Sequence, residues 1–314
     1  MGFASEIRNP TTRLSRLTVI LIVIVFLLFL MACGMSSYLL YRLLHPISTS
    51  TALTPDTLLG HPSVVQFTVP GGGEREGWFF PGLRSAPVII LCHGYQSQRG
   101  DTLTLATPLQ ENQFNVFVFD FSGHGQVRGS TTLGPQEAKE VLAAIAAMAQ
   151  RTDVDRNRIG LWGANMGAYA ALAAAAADRR IRALVVDSVY DEPMIFLRTE
   201  LDRTGFGSMF LIGAMTRFGF QVRELPFRGE GPLSLRLSPL AKVPKLFIAL
   251  RESPSLAEST LQLFAAAPEP KDQWVMQKGT YTAMSNDEKR AYENYVLTFF
   301  LRNLPPLSRT APPR

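Results

Sequence analysis

Histidine and cysteine are both scarce in this 314-residue chain, which has four of the former and two of the latter. The two cysteines, Cys33 and Cys92, both lie in apolar stretches, so no intrachain disulfide is predicted. Cys92 is followed directly by His93, but this pair has no partner at metal-ligand spacing. The sequence therefore predicts neither a metal site nor a cofactor. All four histidines precede residue 125, so the second half of the chain contains no imidazole.

Charged residues make up only 18% of the chain, with 31 Lys and Arg against 26 Asp and Glu. The net charge of +5 alone would be compatible with nucleic-acid binding. However, the basic residues are scattered, without a basic helix or an aromatic stacking motif, so nucleic acid is not predicted as a partner. Scattered arginines are more typical of a solvated surface and of attraction to anionic lipid.

One long apolar run stands near the N-terminus. Residues 17–41, between Arg16 and Arg42, carry no charge, and this run is long enough to span a bilayer. Three arginines precede the run, whereas only Arg42 follows it closely. The positive-inside bias therefore predicts a cytoplasmic tail over 1–16 and a C-terminal domain outside the cytoplasm.

The stretch Leu30–Cys33 also resembles a bacterial lipobox, in which a cysteine after a small residue is cleaved and lipidated. Methionine is uncommon at the second lipobox position, and the apolar run is long for a signal peptide. An uncleaved anchor is therefore favoured over a lipoprotein attached at Cys33. Both alternatives make the lipid bilayer a partner of the chain.

The remaining sequence divides into a Pro/Ser/Thr-rich linker (42–62), a folded domain (63–304) and a tail expected to be disordered (305–314). Within the domain, nearly continuous apolar strands alternate with helical stretches, which predicts a mostly parallel sheet covered by helices on both faces. The segment from about 190 to 241 interrupts this alternation and is apolar enough to be helical. We interpret it as a cap inserted over the carboxyl edge of the sheet.

Three motifs end successive predicted strands: Cys92–Tyr95, Asp120–Gly125 and Gly163–Gly167. Together they resemble the α/β-hydrolase superfamily, particularly its bacterial peptidase-like and esterase-like members. The resemblance covers about residues 63–304, and it implies the α/β-hydrolase fold with a helical cap. The pentapeptide Gly163–Gly167 corresponds to the G-x-S-x-G nucleophile elbow of that superfamily.

The resemblance also locates the catalytic positions, and all three are substituted. Asn165 stands at the nucleophile, and a carboxamide is a poor nucleophile with no ionisable proton. Ser253 stands at the acid, with Glu252 one residue away as an ill-placed substitute. Thr280, or else Tyr281, stands at the histidine. Because no histidine follows Asn165, the superfamily's order of nucleophile, acid and histidine cannot be completed.

Other parts of the superfamily's site depend on backbone rather than on side chains. The resemblance implies oxyanion-hole N–H groups from Met166 and Tyr95. Asparagine tolerates a positive φ better than most residues and is a favoured helix N-cap, so Asn165 suits the elbow for structural reasons. His93 and His124 are interpreted as structural loop residues. Asp187 ends the strand at which a minority of α/β hydrolases place their acid, but without a histidine it is expected to support the cap.

These observations leave three functional hypotheses. The first is a membrane-anchored, non-catalytic binding or scaffolding protein that holds a small acyl or carboxylate ligand at Asn165, or has its pocket filled by its own side chains. The alternative is a weak or unorthodox hydrolase of acyl ester or peptide substrates. The third is a structural partner of other envelope proteins.

Overall fold

The computed structural model of the chain describes residues 12–47, 62–277 and 284–306. Within these ranges, eight strands form one sheet in the order β1-β2-β4-β3-β5-β6-β7-β8. The strands are β1 (Ser63–Val69), β2 (Gly73–Phe80), β3 (Ala86–Cys92), β4 (Asn115–Phe119), β5 (Val154–Ala164), β6 (Ile181–Asp187), β7 (Lys245–Leu250) and β8 (Lys271–Met276). This architecture confirms the predicted α/β class.

Helices occupy the intervals between most of the strands. They are α1 (Arg13–Leu44), α2 (Leu103–Glu111), α3 (Pro135–Ala149), α4 (Met166–Ala177), α5 (Pro193–Arg203), α6 (Phe210–Arg223), α7 (Pro254–Ala266) and α8 (Asn286–Asn303).

The strand directions bring the three sequence motifs to one edge of the sheet. β1 and β2 form an antiparallel hairpin, and β2 pairs antiparallel with β4. All the other neighbouring strands are parallel, from β4 across to β8. The carboxyl ends of these six strands therefore lie along the same edge, where ligand sites of open α/β sheets are found.

The apolar strands are buried on both faces, as β3 illustrates. Val88 and Ile90 join one core with α3 and α4. Ile89 and Leu91 join the opposite core with α2 and α8. Because successive side chains of a strand point to opposite faces, a strand covered on both sides must be apolar throughout, which explains the absence of polar alternation in these segments.

The helix α1 is long and apolar enough to cross a membrane, with a mean hydropathy of 3.1 over its most apolar window. It extends beyond the predicted span 17–41, because Leu43 and Leu44 pack into the core of the domain. The predicted linker lies outside the described residues from 48 to 61, and so does the predicted tail from 307 onward.

The predicted cap corresponds to the segment between β6 and β7. It consists of α5, α6 and three short 3₁₀ helices, at Leu225–Glu230, Leu233–Arg236 and Ser238–Leu240. The cap is held to the domain partly by Tyr190, whose ring stacks on Phe196 with 5.0 Å between centroids. The hydroxyl of Tyr190 donates a 2.6 Å hydrogen bond to the carbonyl of Leu133.

Candidate functional site

Asn165 lies at a tight turn between β5 and α4, as the glycine spacing predicts. Its backbone has φ 39° and ψ −103°, in a region that non-glycine residues rarely occupy. The backbone N–H of Asn165 donates a 2.7 Å hydrogen bond to the carbonyl of Asp187, and its own carbonyl accepts from Tyr169 at 2.9 Å. The strained turn is therefore fixed on both sides by backbone hydrogen bonds.

Three glycines allow the chain to pass through this turn. A Cβ on Gly163 would lie 2.4 Å from the carbonyl oxygen of Gly167. A Cβ on Gly167 would lie 2.2 Å from the carbonyl oxygen of Cys92, so α4 begins in direct contact with the end of β3. On the neighbouring loop, a Cβ on Gly94 would lie 2.8 Å from Nδ2 of Asn165. Gly163 and Gly167 face backbone and cannot carry a side chain, whereas a methyl group on Gly94 would push the Asn165 amide aside.

The carboxamide of Asn165 is turned toward the two N–H groups expected to form the oxyanion hole. Its Oδ1 accepts a 2.6 Å hydrogen bond from the N–H of Met166 and a 2.7 Å hydrogen bond from the N–H of Tyr95. One side-chain oxygen thus accepts from both of the N–H groups that the resemblance assigns to an oxyanion hole. In this conformation both donors are satisfied by the residue at the elbow itself.

Tyr95 connects the elbow to the cap and to α1. Its ring makes an edge contact with Phe196 of α5, with centroids 5.3 Å apart. Its hydroxyl donates a 2.9 Å hydrogen bond to the carbonyl of Leu43, in the last turn of α1. Burial raises the pKa of the Tyr95 phenol above its ordinary value, so the hydroxyl remains a neutral donor.

An open cavity of about 410 Å³ lies between the cap and the domain, and its lining includes Tyr169, Glu192, Arg198 and Glu224. Burial and the nearby Glu192 raise the pKa of Glu224 to about 7. Asn165 is not among the residues that line this cavity. This cavity is therefore not the ligand pocket that the first hypothesis places at Asn165, because the amide of Asn165 is held against Gly94 and the two N–H donors.

The residue predicted at the acid position is engaged elsewhere. Ser253 is the N-cap residue of α7, and its hydroxyl oxygen accepts a 3.1 Å hydrogen bond from the guanidinium of Arg203. Its neighbour Glu252 is exposed. Thr280, predicted at the histidine position, and Tyr281 lie outside the described residues. The structure therefore gives no hydrogen bond between Ser253 and Asn165.

The two histidines of the strand-end loops are buried and bonded to backbone. His93 donates from Nδ1 to the carbonyl of Gly94 at 2.8 Å, while its Nε2 accepts from the N–H of Phe121 at 3.1 Å. His124 bonds through Nδ1 to the carbonyl of Ser122, and no partner of its Nε2 is found among the described residues. Burial lowers the pKa of each imidazole to about 4, so both are neutral at pH 7.

A buried polar chain beside the elbow was not found by sequence reasoning. The Tyr292 hydroxyl donates to the carboxyl of Asp187 at 2.9 Å and accepts from the indole N–H of Trp162 at 3.0 Å. Ser188 donates to the same carboxyl at 2.8 Å. Burial raises the pKa of Asp187 to about 6. The position of Asp187 at a strand end is a sequence signal for a functional carboxyl group. Nothing in the sequence indicates that this carboxyl pairs with Tyr292.

Comparison with known proteins gives one family and several relatives. The model of the serine aminopeptidase S33 family matches residues 84–203. The uncharacterized protein YfhR of Escherichia coli O157:H7 is 24% identical over 254 residues, covering 77% of this chain and 81% of that protein. The thiohydrolase aneE of Aspergillus aculeatus is 24% identical over 142 residues, covering 42% of this chain. That alignment spans 45% of aneE, so it reaches less than half of that relative.

Solved structures agree with the topology described above. The esterase Pf2001 of Pyrococcus furiosus superposes with a TM-score of 0.63 at 19% sequence identity, covering 84% of this chain and 98% of the esterase. At this identity the likeness establishes the fold and not the activity. The sheet order and these comparisons together show that this chain has the α/β-hydrolase fold.

Proposed function

We propose that this protein is a membrane-anchored member of the α/β-hydrolase fold that binds ligands or partners and does not cleave them. The observation that carries this proposal is the pair of hydrogen bonds from Met166 and Tyr95 to the side-chain oxygen of Asn165. Acyl transfer needs a nucleophile at the elbow and free N–H donors for the developing oxyanion. Here Asn165 stands in place of the nucleophile, and its side-chain oxygen occupies both N–H donors.

The lack of a general base supports the same proposal. A serine or cysteine nucleophile is activated by a base within hydrogen-bond reach, most often a histidine. No histidine follows Asn165 in the sequence. The carboxyl of Asp187 is bonded to Ser188 and Tyr292, and Ser253 is bonded to Arg203, so neither is paired with an imidazole.

A small acyl or carboxylate ligand remains the proposed occupant of the elbow. The N–H of Met166 opens the helix α4, where the aligned peptide dipoles favour a negative charge. A carboxylate could bind there by displacing the neutral amide oxygen of Asn165, which would have to rotate away. Because the amide already satisfies both donors, the ligand must compete with an intramolecular contact, and weak binding is expected.

Anchoring through α1, with the domain outside the cytoplasm, is part of this proposal. The part of α1 that precedes Ala32 is exposed and apolar, whereas Leu43 and Leu44 belong to the domain core. Removal of a signal peptide after residue 44 would delete Leu43 and Leu44 from the domain core. The packing therefore supports the presence of the C-terminal end of α1 in the mature protein. Cleavage before Cys33 would also retain it, and the lipoprotein alternative therefore stays open.

The test is labelling of the full-length protein with a fluorophosphonate probe, beside an Asn165→Ser variant and an Asn165→Ala variant. We expect no labelling of any of the three, because a serine at the elbow still lacks a base. Labelling of the Asn165→Ser variant alone would reveal a functional base and overturn the proposed loss of catalytic machinery. Labelling of the wild type would favour the hydrolase alternative.

Ligand binding is tested separately by thermal unfolding with short fatty acids and short peptides. A rise in the unfolding temperature of the wild type that is smaller in a Gly94→Ala variant would support binding at the elbow. No stabilisation by any of these compounds would favour a scaffolding role.

A further inference from the structure

The cap helix α6 packs along the second half of the anchor helix α1. The hydroxyls of Ser36 and Thr216 are 3.0 Å apart and buried between the two helices. Ile212 packs in a small apolar cluster with Ala32 and Leu39 of α1. One helix of the cap is therefore attached directly to the segment that is apolar enough to cross a membrane.

The contacts follow the same order along both helices. Thr216 meets Ser36, and one turn later Gly219 meets Leu40 so closely that a Cβ would lie 3.0 Å from Cδ2 of Leu40. The two helices consequently run in the same direction. The first turn of α6, at Phe210, points toward the membrane-spanning part of α1.

The boundary of the bilayer on α1 can be placed from length and composition. A hydrocarbon core of about 30 Å takes about 20 helical residues, so a span that starts after Arg16 ends near Ser36. Tyr38 and Tyr41 follow and are both exposed. Exposed tyrosines just beyond an apolar span are typical of the membrane–water interface. The first half of α6 thus lies beside Ala32–Ser36 of α1, just inside the edge of the hydrocarbon core on the domain's side.

The exposed surface of α6 is apolar over its first two turns, and its exposed polar residues, Gln221 and Arg223, are in the last turn. Phe210 is 86% exposed and Phe218 is 67% exposed, which is far more than expected for phenylalanine in a water-soluble surface. Further exposed apolar residues at the start and on the same side of α6 are Met209, Leu211 and Val222. The apolar surface of α1 and that of α6 are continuous, because the two helices are in contact.

We propose that the N-terminal half of α6 is immersed in the lipid leaflet on the domain's side, so that the cap is a second membrane contact besides α1. This inference rests on the proposed anchoring through α1. The occupant of the apolar surface is lipid rather than a protein, because the same surface continues onto a bilayer-spanning helix. Immersion of α6 would place the cap against the membrane. The elbow would then be close to the membrane as well, because Tyr95 contacts both Phe196 of the cap and Asn165.

The test uses a fluorescent nitrobenzoxadiazole label on single cysteines of the full-length protein in phosphatidylcholine–phosphatidylglycerol vesicles. A Cys33→Ala background leaves only the buried Cys92. Phe210→Cys and Phe218→Cys report on the cap, and Leu27→Cys reports on the anchor. Val64→Cys is the matched control, because this residue is 56% exposed on the edge strand β1, on the far side of the sheet from β6 and β7, between which the cap is inserted.

Quenching by lipids that carry bromine on their acyl chains is then measured. We expect strong quenching and a blue-shifted emission at 27 and 210, weaker quenching at 218, which lies in the second half of α6 near the membrane–water interface, and no effect at 64. Quenching at 27 without quenching at 210 would overturn the immersion of the cap while leaving the anchor intact. If 210 is instead shielded from aqueous iodide without lipid quenching, a second copy or another protein covers it. Absence of quenching at 27 would refute the anchoring, and this inference with it.

Discussion

At the scale of single residues, Asn165 combines a strained backbone with two short side-chain hydrogen bonds. The two contributions can be separated by substitution. Asn165→Ala loses the acceptor and keeps a side chain at positive φ, so we expect a loss of about 1–3 kcal/mol in the free energy of unfolding. Asn165→Gly loses only the acceptor and tolerates the turn, so its loss is expected to be smaller.

Both variants are compared with the wild type by urea unfolding of the full-length protein in detergent micelles. An alanine variant as stable as the wild type would mean that the hydrogen bonds to the amide contribute nothing to stability, because alanine keeps a side chain at the same positive φ.

Asp187 gives a pH-dependent prediction at the same scale. Its pKa of about 6 in the folded protein lies above the ordinary value of 3.8, so the folded state holds the proton more tightly than the unfolded chain. The stability that this group contributes is present below pH 4 and is lost as the pH rises through 6, by about 3 kcal/mol.

An Asp187→Asn variant keeps an acceptor for the Tyr292 hydroxyl but cannot ionise. We expect it to gain stability relative to the wild type as the pH rises from 4 to 7, measured as the difference between their free energies of unfolding. Other buried carboxyls titrate in both proteins and cancel in this difference. A difference that does not change with pH would contradict the role assigned to Asp187.

At the scale of secondary-structure elements, the junction of β5 and α4 depends on close backbone contact. A methyl group on Gly167 would collide with the carbonyl of Cys92, whereas nothing lies within 4 Å of a Cβ on Gly229. We expect Gly167→Ala to destabilise the fold by about 3 kcal/mol or more, because backbone cannot yield as a flexible side chain does. Gly229→Ala is the matched control and is expected to be near neutral in the same unfolding measurement.

The contact between the anchor and the cap is tested by a double-mutant cycle. Thr216 donates to the carbonyl of Ile212, which leaves its oxygen to accept from Ser36. We expect Ser36→Ala and Thr216→Val to have a coupling energy of about 0.5–1.5 kcal/mol, measured by protection of α6 from hydrogen exchange. Additive effects of the two substitutions would indicate that the hydroxyls do not interact.

Much of the element pattern could be predicted from the sequence. The runs Ser63–Val69, Ala86–Cys92 and Lys245–Leu250 are indicated as strands by the sequence and Met166–Ala177 as a helix, and the structure has each with these bounds. These segments are mostly apolar, so the local pattern and the burial favour the same structure. The run Glu76–Phe80 alone indicates the next strand, but β2 begins at Gly73, because its polar first residues are extended by pairing with β1.

The turn at Asn165 could be predicted from the sequence, whereas the hydrogen bonds of its amide to Met166 and Tyr95 could not. The spacing of Gly163 and Gly167 requires the turn, and asparagine is suited to its φ. The direction of the amide depends on Tyr95, 70 residues earlier in the chain, and no local pattern encodes that meeting. The same holds for Asp187 and Tyr292, whose hydrogen bond joins a strand end to the last helix.

At the scale of the whole molecule, the elbow is joined to the anchor by a short series of contacts. The carbonyl of Leu43 accepts from the hydroxyl of Tyr95, and the N–H of Tyr95 donates to Asn165. The anchor also holds the cap through Ser36 and Thr216. The proposed site is therefore in contact with the end of α1.

The most direct test of the central claim is hydrolysis of short-chain esters, thioesters and peptides by the full-length protein in vesicles, beside Asn165→Ala. Loss of a catalytic triad typically lowers the rate by about 10⁶-fold. The account predicts that wild type and variant are both indistinguishable from protein-free vesicles. Turnover by the wild type that disappears in Asn165→Ala would show that the asparagine takes part in catalysis and would contradict the account.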